Sequence, residues 1–317
     1  MIAHGPLTLK VRSAEPLGHS LKRLVLEAAD GGPLPSAGAG GHIQLRLKGP
    51  TRGWRNAYSL TSPPDARDHY AIIVRRVSQS RGGSAFVHEA VGAGTIVEAG
   101  MPNNFFAVSN VARKHLLVSG GIGLTPFLSY LEQFRQRGSP FELHHLCRAE
   151  DMPVFARLLE PFGARSIHLH PTRRGFDLAA LLARQPLGTH LYTCGPHSLM
   201  DQVLSTASDL GWPASKRHAE SFGETAVGGA PFHVLLARSG IEIAVGPEQS
   251  LLEALEAAGI DAPCLCRGGA CGECRLPLLE GVADHRDDFL SAEEHAAGKL
   301  ILTCVSRAKG PRLVIDL

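Results

Sequence analysis

The sequence predicts a multidomain chain of β and α/β class: an antiparallel β-barrel, then a parallel-sheet α/β domain, then a small C-terminal β module. Three observations predict it. Short alternating strands fill about the first hundred residues, separated by Gly- and Pro-rich turns. Near Lys114 the pattern changes to apolar strands alternating with helical stretches, the signature of a parallel sheet covered on both faces. Beyond a run of small residues ending at Ala230, strands return together with four cysteines at Cys266, Cys271, Cys274 and Cys304.

In order, the expected barrel strands are Leu7 to Ser13, Leu21 to Glu27, His42 to Leu47, Tyr70 to Arg76 and Thr95 to Glu98. Turns such as Gly31-Gly32-Pro33 and Ser62-Pro63-Pro64 separate them. The α/β part begins with the apolar run from His115 to Ser119, which enters a glycine turn and then a helix over Thr125 to Arg137. Strands follow at Phe141 to Leu146, Ile167 to His170 and His190 to Thr193. Helices lie around Phe155 to Leu159, Leu178 to Ala183 and Ser198 to Leu210. Gly223 to Ala230 is small and nearly featureless and reads as a linker. The tail then carries strands at Phe232 to Ala237 and Ile241 to Val245, a helix over Ser250 to Ala258, and closing strands at Leu300 to Val305 and Leu313 to Leu317. The expected boundaries are 1–106, 107–224, a linker at 225–230, and 231–317.

The composition narrows the function. The chain has 317 residues, enough for two or three cores, with 44% hydrophobic and 20% charged residues. A net charge of +2 makes no case for nucleic acid. No apolar run approaches the eighteen or so residues that span a membrane, and no signal peptide opens the chain, so a cytoplasmic monomer is expected. Charge is nonetheless uneven: residues 231–317 carry a net −5 and the preceding residues a net +7.

The cysteines carry the most specific chemistry. Cys266, Cys271 and Cys274 follow C-x4-C-x2-C, and Cys304 comes later from what reads as a separate strand, the plant-type spacing for a [2Fe–2S] cluster. Gly268 and Gly269 let the loop curl and aim N–H groups at sulfur. Zinc sites usually pair two C-x2-C knuckles, and there is one here. A disulfide framework suits short secreted chains, not one of this length with seven cysteines. Cys264 has no place in the pattern and reads as a packed thiol, with a slip of register onto it as the alternative.

Two further regions read as ligand sites. Arg55-Asn56-Ala57-Tyr58-Ser59 has the R-x-x-Y-S form of flavin-binding reductase barrels: a guanidinium for phosphate, a ring to lie on the flavin, a hydroxyl for its N5. Arg81-Gly82-Gly83-Ser84 adds glycines before a helix start, an anion site of backbone N–H groups. Gly120-Gly121-Ile122-Gly123-Leu124-Thr125-Pro126 follows a buried strand and opens a helix; Pro126 stands where the dinucleotide fingerprint has its third glycine. Cys194-Gly195-Pro196 ends a later strand, so both turns should face one crevice. The sixteen histidines, His144-His145 and His168 and His170 among them, show no His-x-x-x-His or carboxylate grouping, so no histidine metal site is expected. Cys147 reads as core.

Together these motifs resemble the phthalate dioxygenase reductase family, which includes the vanillate demethylase reductases, over essentially the whole chain. The resemblance implies a flavin barrel, an NAD domain and a β-grasp ferredoxin domain, with FMN, NADH and a [2Fe–2S] cluster held by Cys266, Cys271, Cys274 and Cys304. It implies that Arg55, Asn56, Ala57, Tyr58, Ser59, Val74, Gly82, Gly83 and Ser84 hold FMN. Asn56-Ala57 departs from the threonine the family often has after the arginine. Gly120, Gly121, Gly123, Thr125, Pro126, Cys194, Gly195 and Pro196 would shape the nucleotide site. Ser59, Thr125, Cys194, Glu220 and Phe222 would surround the transferred hydride; Glu220-Ser221-Phe222 resembles the E-S-F run ending the NAD domain, the alternative being a strand end with a buried phenylalanine. Arg148, Arg173 and Arg174 could take a 2′-phosphate, yet NADH is the expected donor.

NADH delivers two electrons at once and a [2Fe–2S] cluster takes one, so a flavin must stand between them. The chain shows no motif for a terminal acceptor, and the resemblance implies a separate oxygenase, usually a Rieske protein acting on an aromatic acid or methylated amine. The alternatives are a reductase for a haem monooxygenase or cytochrome P450, and a carrier module with a vestigial flavin site. The acidic tail and basic body suggest steered, transient docking with the partner. Salt near about 0.5 M, where the Debye length is roughly 4 Å, should slow reduction of the partner while barely changing flavin reduction by NADH. Stopped-flow rates of partner reduction that stay flat across ionic strength would remove the steering.

Overall fold

The computed structural model describes residues 6–50, 53–77, 82–172, 175–222 and 228–317. Arg81, Arg173, Arg174 and residues 225–227 of the expected linker lie outside the described residues. The chain divides into two compact units, Met1–Glu220 and Ser221–Leu317. Among the described residues no helix is long and apolar enough to cross a membrane.

The first unit opens with β1 (Leu7–Leu17), β2 (Leu21–Ala28), β3 (His42–Lys48), β4 (Gly53–Ser59), β5 (Tyr70–Arg75), α1 (Gly83–Ala90) and β6 (Ile96–Ala99). The strands form an antiparallel sheet in the order β4-β3-β6-β1-β2-β5. A bridge between Leu60 and Ile72 joins its two ends, as a barrel requires. Alternate residues fill the interior: Leu9 and Val11, Leu24 and Leu26, Ile43 and Leu45, Ile72 and Val74 are all buried. α1 is stopped by a cation: Lys22 Nζ donates to the carbonyls of Val87, His88 and Val91 at 3.0, 3.2 and 2.6 Å. A lysine there satisfies carbonyls that have no intrahelical partner.

The same unit continues through β7 (Lys114–Gly120), α2 (Thr125–Arg137), β8 (Phe141–Leu146), α3 (Met152–Leu159), β9 (Ile167–His170), α4 (Leu178–Ala183), β10 (Thr189–Cys194), α5 (His197–Asp209) and β11 (Arg217–Glu220). All neighbours in the sheet β11-β10-β7-β8-β9 are parallel. The chain leaves β7 toward β8 on one side and returns to β10 on the other. The carboxyl ends of β7 and β10 therefore flank the switch point where open sheets of this kind bind ligands. Leu116, Val118 and Leu191 pack under α4 and α5; Leu117, Leu143 and Tyr192 pack under α2 and α3.

That second core also takes Leu21, Ile73 and Phe106, so barrel and sheet share buried surface. One close approach is at Gly40, with φ 86°. A Cβ there would lie 2.1 Å from the Phe106 carbonyl oxygen and 2.7 Å from the Tyr130 ring. Gly40 N–H donates to Ser129 Oγ at 2.9 Å, and Tyr130 Oη donates to the Phe106 carbonyl at 2.5 Å. Only glycine fits.

The second unit comprises β12 (Phe232–Leu236), β13 (Glu242–Val245), α6 (Leu251–Ala257), β14 (Arg275–Glu280), β15 (Ala283–Asp284), α7 (Ala292–Ala297), β16 (Leu300–Leu302), β17 (Arg307–Ala308) and β18 (Arg312–Ile315). Its mixed sheet runs β13-β12-β18-β14-β16, with β12 and β18 parallel, and β15 pairs β17 apart from it. Ser250 with Glu253, and Ser291 with Glu294, form capping boxes that start α6 and α7. Arg307 is 1% exposed. Its guanidinium donates to the carbonyls of Gln249, Ala230 and Gly246 and lies 5.2 Å from the Phe232 ring centre. It ties the entry of the chain into this unit to the turn before α6.

Two expectations need correction. The strand carrying Cys304 ends at Leu302, and Cys304 lies in a turn. A continuing strand would carry its sulfur away, whereas the turn brings it back to Cys274. The expected lack of a carboxylate beside the histidines also fails: Glu142 Oε1 lies 2.9 Å from His144 Nε2 and faces it two residues along β8.

Burial dominates the histidines of the first unit. It holds His42, His115 and His144 down to about 4 and His145 to about 3. In the unfolded chain these rings titrate near 6.5. Stability is therefore full above about pH 6.5 and falls as pH drops toward their folded values, at up to roughly 1.4 kcal/mol per pH unit for each ring. Thermal melts of the holoprotein should shift down by several degrees between about pH 7 and 5.5; an unchanged midpoint would contradict this assignment.

Candidate functional site

β4 alternates across its two faces, and this decides which motif residues meet. Trp54, Asn56 and Tyr58 share the face toward the start of α1. Asn56 Nδ2 donates to Tyr58 Oη at 3.1 Å. Gly82, with φ 97°, caps α1 and passes Trp54. A Cβ on Gly83 would lie 2.6 Å from Asn56 Nδ2 and 3.2 Å from Trp54 Cβ. The N-terminal end of α1, which favours negative charge, thus rests against Asn56 and Tyr58. Arg55 lies on the other face, opposite Arg46 of β3, together with Ala57 and Ser59. Arg55 and Tyr58 are not brought to one face. Asn56 stands on the ring's face instead.

Ser59 is 5% exposed and its hydroxyl has no hydrogen-bond partner among the described residues. Its cross-strand neighbour His42 is 4% exposed, with neither ring nitrogen hydrogen-bonded. Such groups are rare unless a ligand completes them, which fits a flavin edge against Ser59. Ser84 is buried and its Oγ accepts the Val77 N–H at 3.2 Å. Val74 points into the barrel core, and its carbonyl is bonded to His88 Nε2 at 3.0 Å, so only its backbone can serve a ligand. Sequence reasoning missed Trp54 and His42; the alternation of β3 and β4 carries the signal for both.

At the switch point the two expected turns interlock. A Cβ on Gly123 would lie 2.3 Å from the Cys194 carbonyl oxygen; one on Gly195 would lie 2.8 Å from Gly120 N; one on Gly120 would lie 2.8 Å from Pro196 Cδ. These glycines let one turn seat on the other. Gly121 alone, with φ 54°, meets no backbone; the nearest atom to its would-be Cβ is Arg75 Nη1 at 3.1 Å. Arg75, at the end of β5, is 3.7 Å from Asp151 Oδ2. It sets a cation beside the glycine turn, a residue the sequence reading overlooked. Thr125 Oγ1 donates to the Ile122 carbonyl at 3.0 Å, and Pro126 occupies the first turn of α2.

Cys194 is fully buried; burial first and then the Glu220 charge push its thiol well up, so it is neutral. Glu220 pairs with it in register at the end of β11. Phe222 is 39% exposed and lies in the other unit, so the buried-phenylalanine alternative fails. Arg148 is exposed and 3.4 Å from Glu150. Cys147 is partly buried against the second core, and burial followed by the Asp151 charge raises its thiol to about 11.

In the second unit the four expected thiols converge. Cys274 Sγ and Cys304 Sγ lie 3.1 Å apart, and Gly268 N–H donates to Cys266 Sγ at 3.4 Å. Cys271, and then the N–H groups of Gly268, Ala270 and Cys271, lower Cys266 to about 5; Cys304 lowers Cys274. Backbone donors aimed at sulfur are what a bound cluster requires. Gly272 has φ 71°, and a Cβ there would lie 2.3 Å from the Phe289 ring. Arg267 adopts φ 58°, an uncommon strain for a non-glycine residue. Its buried guanidinium pairs with Glu256 and donates to Cys264 Sγ at 3.8 Å. Cys264 sits in the apolar core of this unit, as the packed-thiol reading expects.

The family described as "2Fe-2S iron-sulfur cluster binding domain" matches residues 234–309, and that described as "Dimethylamine monooxygenase subunit DmmA-like, N-terminal domain" matches residues 101–216. The haem-dependent oxidative N-demethylase beta subunit of Ectopseudomonas mendocina is 44% identical over 90% of each chain. The carnitine monooxygenase reductase subunit of Escherichia coli is 42% identical over 98% of each chain. The solved structure of phthalate dioxygenase reductase, a modular protein for electron transfer from pyridine nucleotides to [2Fe–2S], superposes with a TM-score of 0.80 at 36% identity, covering 99% of this chain and 98% of that one. The chain thus carries a [2Fe–2S] ferredoxin domain behind flavin- and NAD-binding regions, and it belongs to the phthalate dioxygenase reductase and vanillate demethylase reductase family of oxygenase reductase subunits.

Proposed function

We propose that this chain passes electrons from NADH through FMN and its [2Fe–2S] cluster to a separate terminal oxygenase in the cytoplasm. The observation that carries the reading is the convergence of four thiols ringed by backbone N–H donors, in a chain whose first unit has paired ligand turns at a sheet switch point. Residues 1–106 form the flavin region, 107–224 the nucleotide region, 225–230 the linker and 231–317 the ferredoxin domain.

A bound flavin would supply the conversion between a two-electron hydride donor and a one-electron cluster. The chain's residues bind, orient and exclude water. Tyr58 and Asn56 receive the flavin beside the Gly82-Gly83-Ser84 helix start, and Ser59 offers its hydroxyl to the ring edge. The Gly121 turn and Arg75 take the nucleotide phosphates. Thr125, neutral Cys194 and Glu220 flank the nicotinamide; burial of Cys194 keeps it from acting as a nucleophile. Phe222 and Val74 serve through surface and backbone.

The partner's substrate class follows from the relatives. A haem-dependent oxidative N-demethylase subunit and a carnitine monooxygenase reductase lead the comparison, which favours a methylated-amine oxygenase over one for aromatic acids. A Rieske acceptor is the first reading. A haem acceptor is the second, favoured by the haem-dependent N-demethylase relative.

Anaerobic addition of NADH should bleach flavin and iron–sulfur bands together, and heat should release FMN in near-equal amount to protein. Recovery of FAD, or a preference for NADPH in kcat/KM, would overturn those assignments. Cys304→Ser should lose or perturb the cluster while flavin reduction by NADH continues. A normal cluster spectrum in that variant would refute the ligand set.

A further inference from the structure

The sequence reading found no set of two histidines and a carboxylate, yet the fold of the second unit assembles one. His285 and Asp287 follow β15, and His295 lies on α7, eight residues beyond Asp287. Their ligand atoms all fall within 4.8 Å of one another. The two imidazole rings stack with centres 4.3 Å apart, and each turns a nitrogen toward the same carboxylate.

One histidine stands off the carboxylate at a distance that suits a bridging cation, and the other already pairs with it. His285 Nδ1 is 3.6 Å from Asp287 Oδ1, too far for a hydrogen bond, and although buried it has no hydrogen-bond partner among the described residues. His295 Nε2 is 3.2 Å from Asp287 Oδ2. Nitrogen and oxygen ligands about 2.0–2.2 Å from a tetrahedral zinc stand roughly 3.3 Å apart, and the two observed gaps bracket that value. Asp287 is already oriented as a metal-binding carboxylate would be: its side chain is 0% exposed, Oδ2 accepts the Leu290 N–H at 2.9 Å, and Oδ1 accepts Ser306 Oγ at 3.2 Å. Each oxygen keeps a further lone pair for the histidine side. The guanidinium of Arg286, between His285 and Asp287 in sequence, is turned to Asp284 at 2.7 Å and to the Gly228 carbonyl at 3.0 Å. His295 is 31% exposed, which leaves an entry path and room for a water as fourth ligand.

A second grouping, Glu142 with His144 and His168, offers a weaker case. Lys114 Nζ holds Glu142 at 2.7 Å, and both ring nitrogens of His144 are taken, by Glu142 at 2.9 Å and His170 at 3.0 Å. A cation there would displace partners on both ring nitrogens of His144 and compete with Lys114, against one histidine–carboxylate bond at the first grouping.

We propose that His285, Asp287 and His295 form a site for a divalent transition cation of the zinc type, separate from the four cluster cysteines. The site would staple α7 to the segment after β15. That segment backs the cluster loop: Asp287 Cα lies 3.2 Å from the would-be Cβ of Gly269, and Ser306 follows Cys304 by two residues.

The test is calorimetric titration of zinc chloride into chelator-washed holoprotein with its cluster spectrum intact. One equivalent should bind in the micromolar range, and zinc should raise the melting temperature. His295→Ala, at a half-buried position, and His285→Gln should each weaken binding at least about tenfold while the cluster bands stay unchanged. His168→Ala should leave binding as it was. Absence of saturable binding below about 0.1 mM (a free energy near −5.5 kcal/mol), equal binding in His295→Ala, or loss of binding in His168→Ala would overturn the assignment.

Discussion

Four thiolates brought to one point make the constraint on which the second unit is built. Each sulfur wants its charge met, and the guanidinium of Arg267, beside Cys266, is committed to Glu256 and Cys264. The backbone does the work instead. N–H groups of Gly268, Ala270 and Cys271 turn toward Cys266. A loop that aims successive N–H groups inward must pass through left-handed conformations, seen at Arg267, Gly269 and Gly272. The turn at Cys304 closes the ring from the other side. Asp287 and Ser306 then buttress the loop from behind.

The first unit answers a different requirement. A flavin and a nicotinamide must meet with water excluded, so a barrel and a parallel sheet must be held in fixed register. Gly40 lets the barrel backbone touch Phe106 and Tyr130, and those rings belong to the core beneath α2. Arg75 reaches from the barrel's last long strand to the glycine turn of the sheet. The two halves therefore share one core and one crevice.

Neutrality is a recurring property of buried groups here. His42, His115, His144 and His145 are held below the usual imidazole range by burial, and Cys194 is held above the usual thiol range.

Much of this was legible in the sequence. The spacing of Cys266, Cys271, Cys274 and Cys304 identified the cluster, because a short loop dictates its own geometry. The helix over Thr125–Arg137 and the strands Phe141–Leu146 and Ile167–His170 were readable to the residue, since apolar period and Gly138 mark them locally. Tertiary structure alone decided what depends on faces and long-range meetings. The motif Arg55 to Ser59 names its residues in line, but pleating puts Arg55 on one side and Tyr58 on the other. Gly123 and Cys194 lie far apart in sequence, and only parallel pairing of β7 with β10 shows that the glycine serves a turn-on-turn contact. His285, Asp287 and His295 carry no spacing that announces them, because a strand end and a helix face must pack before their side chains converge.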